Sequence, residues 1–492
     1  MPKLKPTAEQ DNAKNLACTG QNLKINAFAG AGKTSTLELI AETLFNKKIL
    51  YLAFNKSIAD ESAKRFPFNV TCKTSHSLAY GAIVGRNPRF KEKLQGRLNG
   101  SLVAKIVELR DGHHCAPLTF SQYGSFVLAA ATNYMNSGYE EFKKQFVPIA
   151  KIEELAAKKK TIVSPSVYRN IYKDAQLLWS KMIDPNDPTY LTHDAYLKLY
   201  ALSRPSLAQY DVILLDESQD SNGVLLSIVS SARAQQIYVG DKYQQIYSWR
   251  GATNAMDCIT TPHTCYLSQS FRFGKNIAAL ASQILQKELG CDTPVQGFDA
   301  IEDSVTRLEY PDCMVFRTNA GLIGEALTQL DAGKKVCIVG DIAMLIQLID
   351  GIRELDDTGR SSHPELMDFG SYVDFLEFIE TDHGKDLAVI EKLISENGYD
   401  ILNQALNKVK ANKEEESDII LTTAHKSKGR ERDTVKLGGD FKKIEDLHSA
   451  RLDGKKDYAI NLEEFNLLYV AITRAKKQLD VSNLRYFDAL WD

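Results

Sequence analysis

At 492 residues, 44% of them hydrophobic, the chain has apolar material for about three to four domains with cores of their own. A formal net charge of −3 excludes a polycation, so any nucleic-acid site is a local groove rather than the whole surface. Eight cysteines without a C-x-x-C pair exclude a zinc ribbon or a disulfide framework and fit a reduced, cytoplasmic or nuclear protein. No apolar signal region follows Met1, and no run of about 18 apolar residues would span a membrane. His113-His114-Cys115 has no partner set at ligand spacing, so no metal is expected there.

In chain order, the first predicted element is a strand over the apolar run Leu23 to Phe28. It leads into Ala27-Phe28-Ala29-Gly30-Ala31-Gly32-Lys33-Thr34, and a helical pattern follows with Leu37, Ile40, Ala41 and Leu44 on one face. Strand, small-residue turn and helix are the context of a phosphate-binding P-loop, with Ala27 where the motif's first glycine is usual. Small residues let the backbone N–H groups from Ala29 to Ser35 close around a triphosphate at a helix N-terminus. Lys33 would reach the β- and γ-phosphates, and Thr34 would offer its hydroxyl to Mg²⁺.

Further β-rich runs at Lys48–Ala53, Val212–Leu215, Gln236–Val239 and Ser417–Thr422 alternate with helical patterns. The expectation is an α/β chain with parallel sheets. Two stretches, about 84–185 and about 343–412, are helical in pattern and read as insertions. The first opens on Arg86, Arg89, Lys91, Lys93 and Arg97, a solvated helix face or a duplex contact. The second ends in Lys413-Glu414-Glu415-Glu416. Val212–Leu215 runs into Asp216 and Glu217. Asp216 at such a strand end would hold Mg²⁺ through water, and Glu217 would polarise the attacking water. The P-loop and this acidic strand end together predict ATP hydrolysis.

At Val239-Gly240-Asp241-Lys242-Tyr243-Gln244-Gln245-Ile246-Tyr247-Ser248-Trp249-Arg250-Gly251-Ala252 the chain resembles superfamily 1A DNA helicases, the UvrD/Rep/PcrA group. Asp216-Glu217-Ser218-Gln219-Asp220 is similar to the family's D-E-x-Q-D. The resemblance continues at Thr7-Ala8-Glu9-Gln10, Thr74-Ser75-His76-Ser77, Ser270-Phe271-Arg272, Thr423-Ala424-His425-Lys426-Ser427-Lys428-Gly429 and Tyr469-Val470-Ala471-Ile472-Thr473-Arg474-Ala475. The string from Leu191 to Tyr200, with a short second insertion, is similar to the helicase core of the F-box DNA helicases and their prokaryotic relatives. About two dozen residues precede the P-loop, so neither an F-box nor ubiquitin-ligase attachment is expected.

The resemblance implies two RecA-like domains that sandwich ATP, each carrying a mainly helical insertion. Domain 1A would be about 1–83 and 186–265, insertion 1B 84–185, domain 2A 266–342 and 413–492, and insertion 2B 343–412. Gln10 would read adenine, Phe271 would stack on it, and Glu431 would join the nucleotide site. Arg272 and Arg474 would act as arginine fingers, and Gln244 would sense the γ-phosphate. Tyr247 and Trp249 would stack on bases, with core packing the other reading of Trp249. Asn55, Thr74, His76 and His425 would contact the DNA backbone. Arg430 and Arg432 depart from the family's apolar and aromatic residues, and the offset of Phe54 leaves it without a DNA role.

The implied activity is that of an ATP-dependent, 3′-to-5′ DNA helicase or translocase on single strands and single-/double-strand junctions, in repair, recombination or replication. Two rivals stand beside it: a translocase that strips protein filaments with little unwinding, and a non-catalytic subunit of a repair or defence complex.

Overall fold

The computed structural model describes residues 5–96, 98–108, 115–158, 160–246, 255–340, 342–367, 369–379, 385–442, 458–484 and 487. Tyr247, Trp249, Arg97, His113 and His114 lie outside the described residues. Of the described residues, 5–26, 33–242 and 255–267 form one compact unit; 27–32, 243–246 and those from 268 onward form a second.

The first unit is built on a six-stranded sheet of β1 (Leu23–Ala27), β2 (Ile49–Ala53), β3 (Val70–Thr74), β4 (Val212–Leu215), β5 (Gln235–Gly240) and β6 (His263–Leu267). Their order is β3-β2-β4-β5-β1-β6, and the ladders among the first five strands are parallel. β2 and β4 are buried at every position, as strands covered on both faces must be. Their alternate residues serve different layers. Leu50, Leu52, Ile213 and Leu215 share one core with Val103, Tyr123, Val127, Ile171 and Leu178 of the helical stretch. That stretch is helical as expected, with Phe120–Met135 and Pro165–Ile183 as its longest helices. The solvated-face reading fails at Lys93. It is 6% exposed, and its ammonium donates to the carbonyls of Lys181 and Asp184, the free C-terminal end of Pro165–Ile183.

The second unit holds an all-parallel sheet in the order β7-β12-β11-β8-β10-β9. Its strands are β7 (Ser304–Val305), β8 (Cys313–Phe316), β9 (Val336–Ile338), β10 (Ile419–Thr423), β11 (Arg432–Leu437) and β12 (Ala475–Asp480). Leu345, Ile352, Phe375, Leu402 and Leu406 of the second helical stretch share one core with Met314, Ile338 and Leu421 of this sheet. The stretch is therefore a cover for the sheet, with its apolar residues at helical spacing turned inward. Arg430 and Arg432, the two departures from the family pattern, both pair with Glu414 of the charged segment that closes it.

All eight cysteines are free. Among the described residues no helix is long and apolar enough to cross a membrane.

Candidate nucleotide and DNA sites

β1 ends where the P-loop turn begins, and α2 (Lys33–Thr43) starts at the lysine itself. The turn needs its glycines: Gly30 and Gly32 sit at φ +72 and +76, a region that side chains with a Cβ rarely enter. Lys33 and Thr34 fall in the first turn of α2, where orphan N–H groups and the helix dipole favour an anion. Ser35 is exposed beside them.

β4 delivers Asp216 and Glu217 from the same sheet edge. Lys33 Nζ stands 3.2 Å from Glu217 Oε1. Burial pulls the Lys33 ammonium towards neutrality, but the carboxylates of Glu217, Asp241 and Asp216 outweigh it and raise its pKa. Asp216 is buried, and its pKa is pushed up to about 6 by that burial and by the charge of Glu217. Tyr51 Oη donates to Asp216 Oδ2 at 2.7 Å, and the Glu217 N–H donates to Oδ1 at 2.8 Å.

Gln219 ties the acids together. Its amide nitrogen donates to Glu217 Oε2 and its oxygen accepts the Asp241 N–H at 3.0 Å, so the ends of β4 and β5 are linked. Gly240 leaves room for this, since a Cβ there would stand 2.4 Å from Gln219 Oε1. A buried carboxylate and a hydroxyl are hard oxygen ligands in small number, which suits Mg²⁺, an ion that keeps several waters. Asp216 and Thr34 thus fit the expected metal by chemistry. Among the described residues no three His, Cys, Asp or Glu side chains cluster as a metal cage of their own.

Gln10 is buried in a capping box at the start of α1 (Ala8–Ala17): its Oε1 accepts the Thr7 N–H at 3.0 Å. Its Nε2 donates to Thr36 of α2 at 3.2 Å.

Within the second unit, Gly30, Phe271, Arg272 and Glu431 line one open cavity of about 380 Å³. The Phe271 N–H donates to the Gly30 carbonyl at 2.8 Å, and the Ala29 N–H donates to Tyr469 Oη at 3.0 Å. Phe271 packs on Phe298, ring centres 5.3 Å apart. Arg272 donates to Glu431 at 2.7 Å and to the Thr473 carbonyl at 2.9 Å. Arg474 is 2% exposed, and its guanidinium donates to the carbonyls of Val470 and Arg430 and to the Thr473 hydroxyl. Gln244 is buried, and its carbonyl accepts Lys428 Nζ at 2.7 Å. His425 has its pKa lowered to about 4, by burial and then by the Arg317 guanidinium.

Of the residues expected to touch DNA in the first unit, Asn55 and His76 line a cleft of about 570 Å³ that also contains Asp216 and Glu217, and Thr74 does not. Asn55 caps α3 (Lys56–Arg65), its Oδ1 accepting the Ile58 N–H at 2.9 Å. Thr74 caps α4 (Ser75–Ala79) in a box with Ser77. His76 Nε2 faces Asp194 Oδ1 at 3.8 Å, and its ring meets Tyr196 edge-on. Phe54, given no DNA role from sequence, lines the same cleft and is 42% exposed.

Two family models divide the chain between them. The UvrD/REP helicase N-terminal domain matches residues 7–256, and the UvrD-like helicase C-terminal domain matches 252–486. The chain belongs to the UvrD/Rep helicase family. Within that family it is similar to the F-box DNA helicase 1 of Gallus gallus, 32% identical over 98% of this chain and 49% of the relative. It is equally similar to the F-box DNA helicase protein 1 of Schizosaccharomyces pombe, 32% identical over 94% of this chain and 55% of the relative. An ATP-dependent DNA helicase PcrA of Staphylococcus epidermidis is 23% identical over 52% of this chain and 35% of its own. The chain spans about half the length of the F-box relatives it matches.

Proposed function

We propose that this UvrD/Rep family member is an ATP-dependent DNA helicase or translocase that moves 3′ to 5′ on single-stranded DNA. The observation that carries the reading is the Lys33–Glu217 ion pair at 3.2 Å, with the buried carboxylate of Asp216 next in sequence to Glu217. Lys33 binds the nucleotide phosphates, and Glu217 takes the proton of the attacking water. Gln219 holds Glu217 in place. Thr34 and Asp216 would hold Mg²⁺, which would supply charge neutralisation on the phosphates.

Gln10 and Phe271 bind the base, Glu431 and Gly30 the rest of the nucleotide, and Gln244 reports the γ-phosphate. Arg272 and Arg474 neutralise charge that develops during transfer. Asn55, Thr74, His76 and His425 hold the DNA backbone, while Tyr247 and Trp249 stack on bases without sequence preference. The four-part division into 1A, 1B, 2A and 2B is part of this reading, as are an intracellular setting and work at single-/double-strand junctions in repair, recombination or replication.

The test is strand displacement. Duplexes with a 3′ tail should be opened in the presence of ATP and Mg²⁺, and those with a 5′ tail should not. A second reading, filament stripping with little unwinding, is favoured by one observation: the helices of 343–412 share the second sheet's core, which leaves them little freedom to engage a duplex as a separate module. Removal of a recombinase filament without strand displacement would select it.

A further inference from the structure

β2 is buried throughout and carries one polar side chain, Tyr51, which is fully buried. A tyrosine hydroxyl in such a place must find an acceptor. Tyr51 stands opposite Leu214 in the parallel β2/β4 ladder, so Asp216, two residues further along, projects from the same face as Tyr51. Two residues of strand rise roughly 6.6 Å, a distance that a tyrosine ring bridges. The hydroxyl arrives at Asp216 Oδ2 at 2.7 Å. The second oxygen of that carboxylate is held by the Glu217 N–H, so its rotation is fixed from both ends. The tyrosine is itself held: its ring packs on Phe66 at 4.8 Å, and its hydroxyl shares a hydrogen bond with Ser62, buried on α3.

We infer that Tyr51 is a positioning residue for the metal site, orienting the Asp216 carboxylate towards the Mg²⁺ of a bound nucleotide. The inference rests on the nucleotide reading of the site and adds to it the group that aims the metal ligand. Partners that orient a metal ligand without touching the metal cost about 10- to 100-fold in metal affinity when lost. In Tyr51→Phe the ring keeps its packing, and only the hydroxyl goes.

The experiment is an electron-paramagnetic-resonance titration of Mn²⁺ into the full chain with ADP, beside ADP binding in chelator. Tyr51→Phe should bind Mn²⁺–ADP about tenfold more weakly than wild type. Its metal-free ADP affinity should be unchanged. Equal Mn²⁺ affinity in the two proteins overturns the inference. A matching loss of metal-free ADP affinity also overturns it, since that reports general damage to the pocket. Failure of the wild-type chain to bind Mn²⁺–ADP would instead bring down the nucleotide reading itself.

Discussion

Glu217 is one of four described non-glycine residues held at positive φ, at +48. Such a conformation costs on the order of 1–3 kcal/mol and persists only where surrounding contacts impose it. Here the contacts are Gln219 and Lys33, and they aim the carboxylate into the cleft. Glu217→Gln should therefore remove ATP turnover by roughly 100-fold or more while ATP binding and the fold remain, because the amide keeps the shape and loses the basicity. Steady-state hydrolysis beside equilibrium ATP binding checks this; turnover near wild type would remove Glu217 from the chemistry. His425 supports a pH prediction. Its folded pKa, about 4, lies below the ordinary value of 6.5. Between those pH values the unfolded chain binds the proton and the folded chain does not, so stability falls as pH drops through that window. The loss amounts to on the order of 3 kcal/mol. Thermal midpoints from pH 7 to 4 should fall less steeply in His425→Asn. At this scale Lys33, Thr34, Asp216 and Glu217 were legible because a P-loop and an acidic strand end are local patterns. Tyr51 was not assigned, although a single hydroxyl inside Ile49–Ala53 was the available sign. Its acceptor lies 165 residues away in sequence.

Elements were legible where periodicity was strong. β2, β4, β5 and β10 lie within two residues of their predicted runs, and the two stretches read as insertions are helical. What spacing could not show is where long polar side chains end. Lys93 sits in a basic run that reads as solvent-facing, yet its ammonium closes the end of a helix more than eighty residues downstream. Lys93→Met should cost about 1–3 kcal/mol, since the Lys181 and Asp184 carbonyls lose a buried donor. Arg86→Ala, an exposed change in the same run, should leave the unfolding midpoint near wild type. Equal urea midpoints for the two variants would show that the Lys93 contacts carry no net stability. Arg430 and Arg432 looked like unexplained departures, and their shared partner Glu414 accounts for them: two cations fasten the end of the second helical stretch to the approach of β11. Glu414 is held below the ordinary carboxylate range, because hydrogen bonds from Arg432 and Arg430 outweigh its partial burial. Glu414 is 31% exposed, so each pair is worth little, and Glu414→Gln should lower stability by less than about 1 kcal/mol at neutral pH, the difference fading as pH falls through the lowered folded pKa of Glu414.

For the whole molecule, the two family models and the two six-stranded sheets agree on a chain with two α/β domains. In the proposed function, ATP chemistry at Lys33 and Glu217 is coupled to single-stranded DNA. Stacking contributes about 1–3 kcal/mol per base, so Trp249→Ala should weaken single-strand binding about 5- to 150-fold and blunt DNA stimulation while basal hydrolysis stays. Phosphate contacts provide the rest of the affinity, which should fall as salt rises. The most direct measurement is ATP hydrolysis by the full chain in Mg²⁺, titrated with single-stranded DNA of mixed sequence, with Glu217→Gln alongside. The expected result is a low basal rate, a saturable rise with single-stranded DNA and no turnover in the variant. A rate that ignores DNA, or hydrolysis that survives in Glu217→Gln, would contradict it.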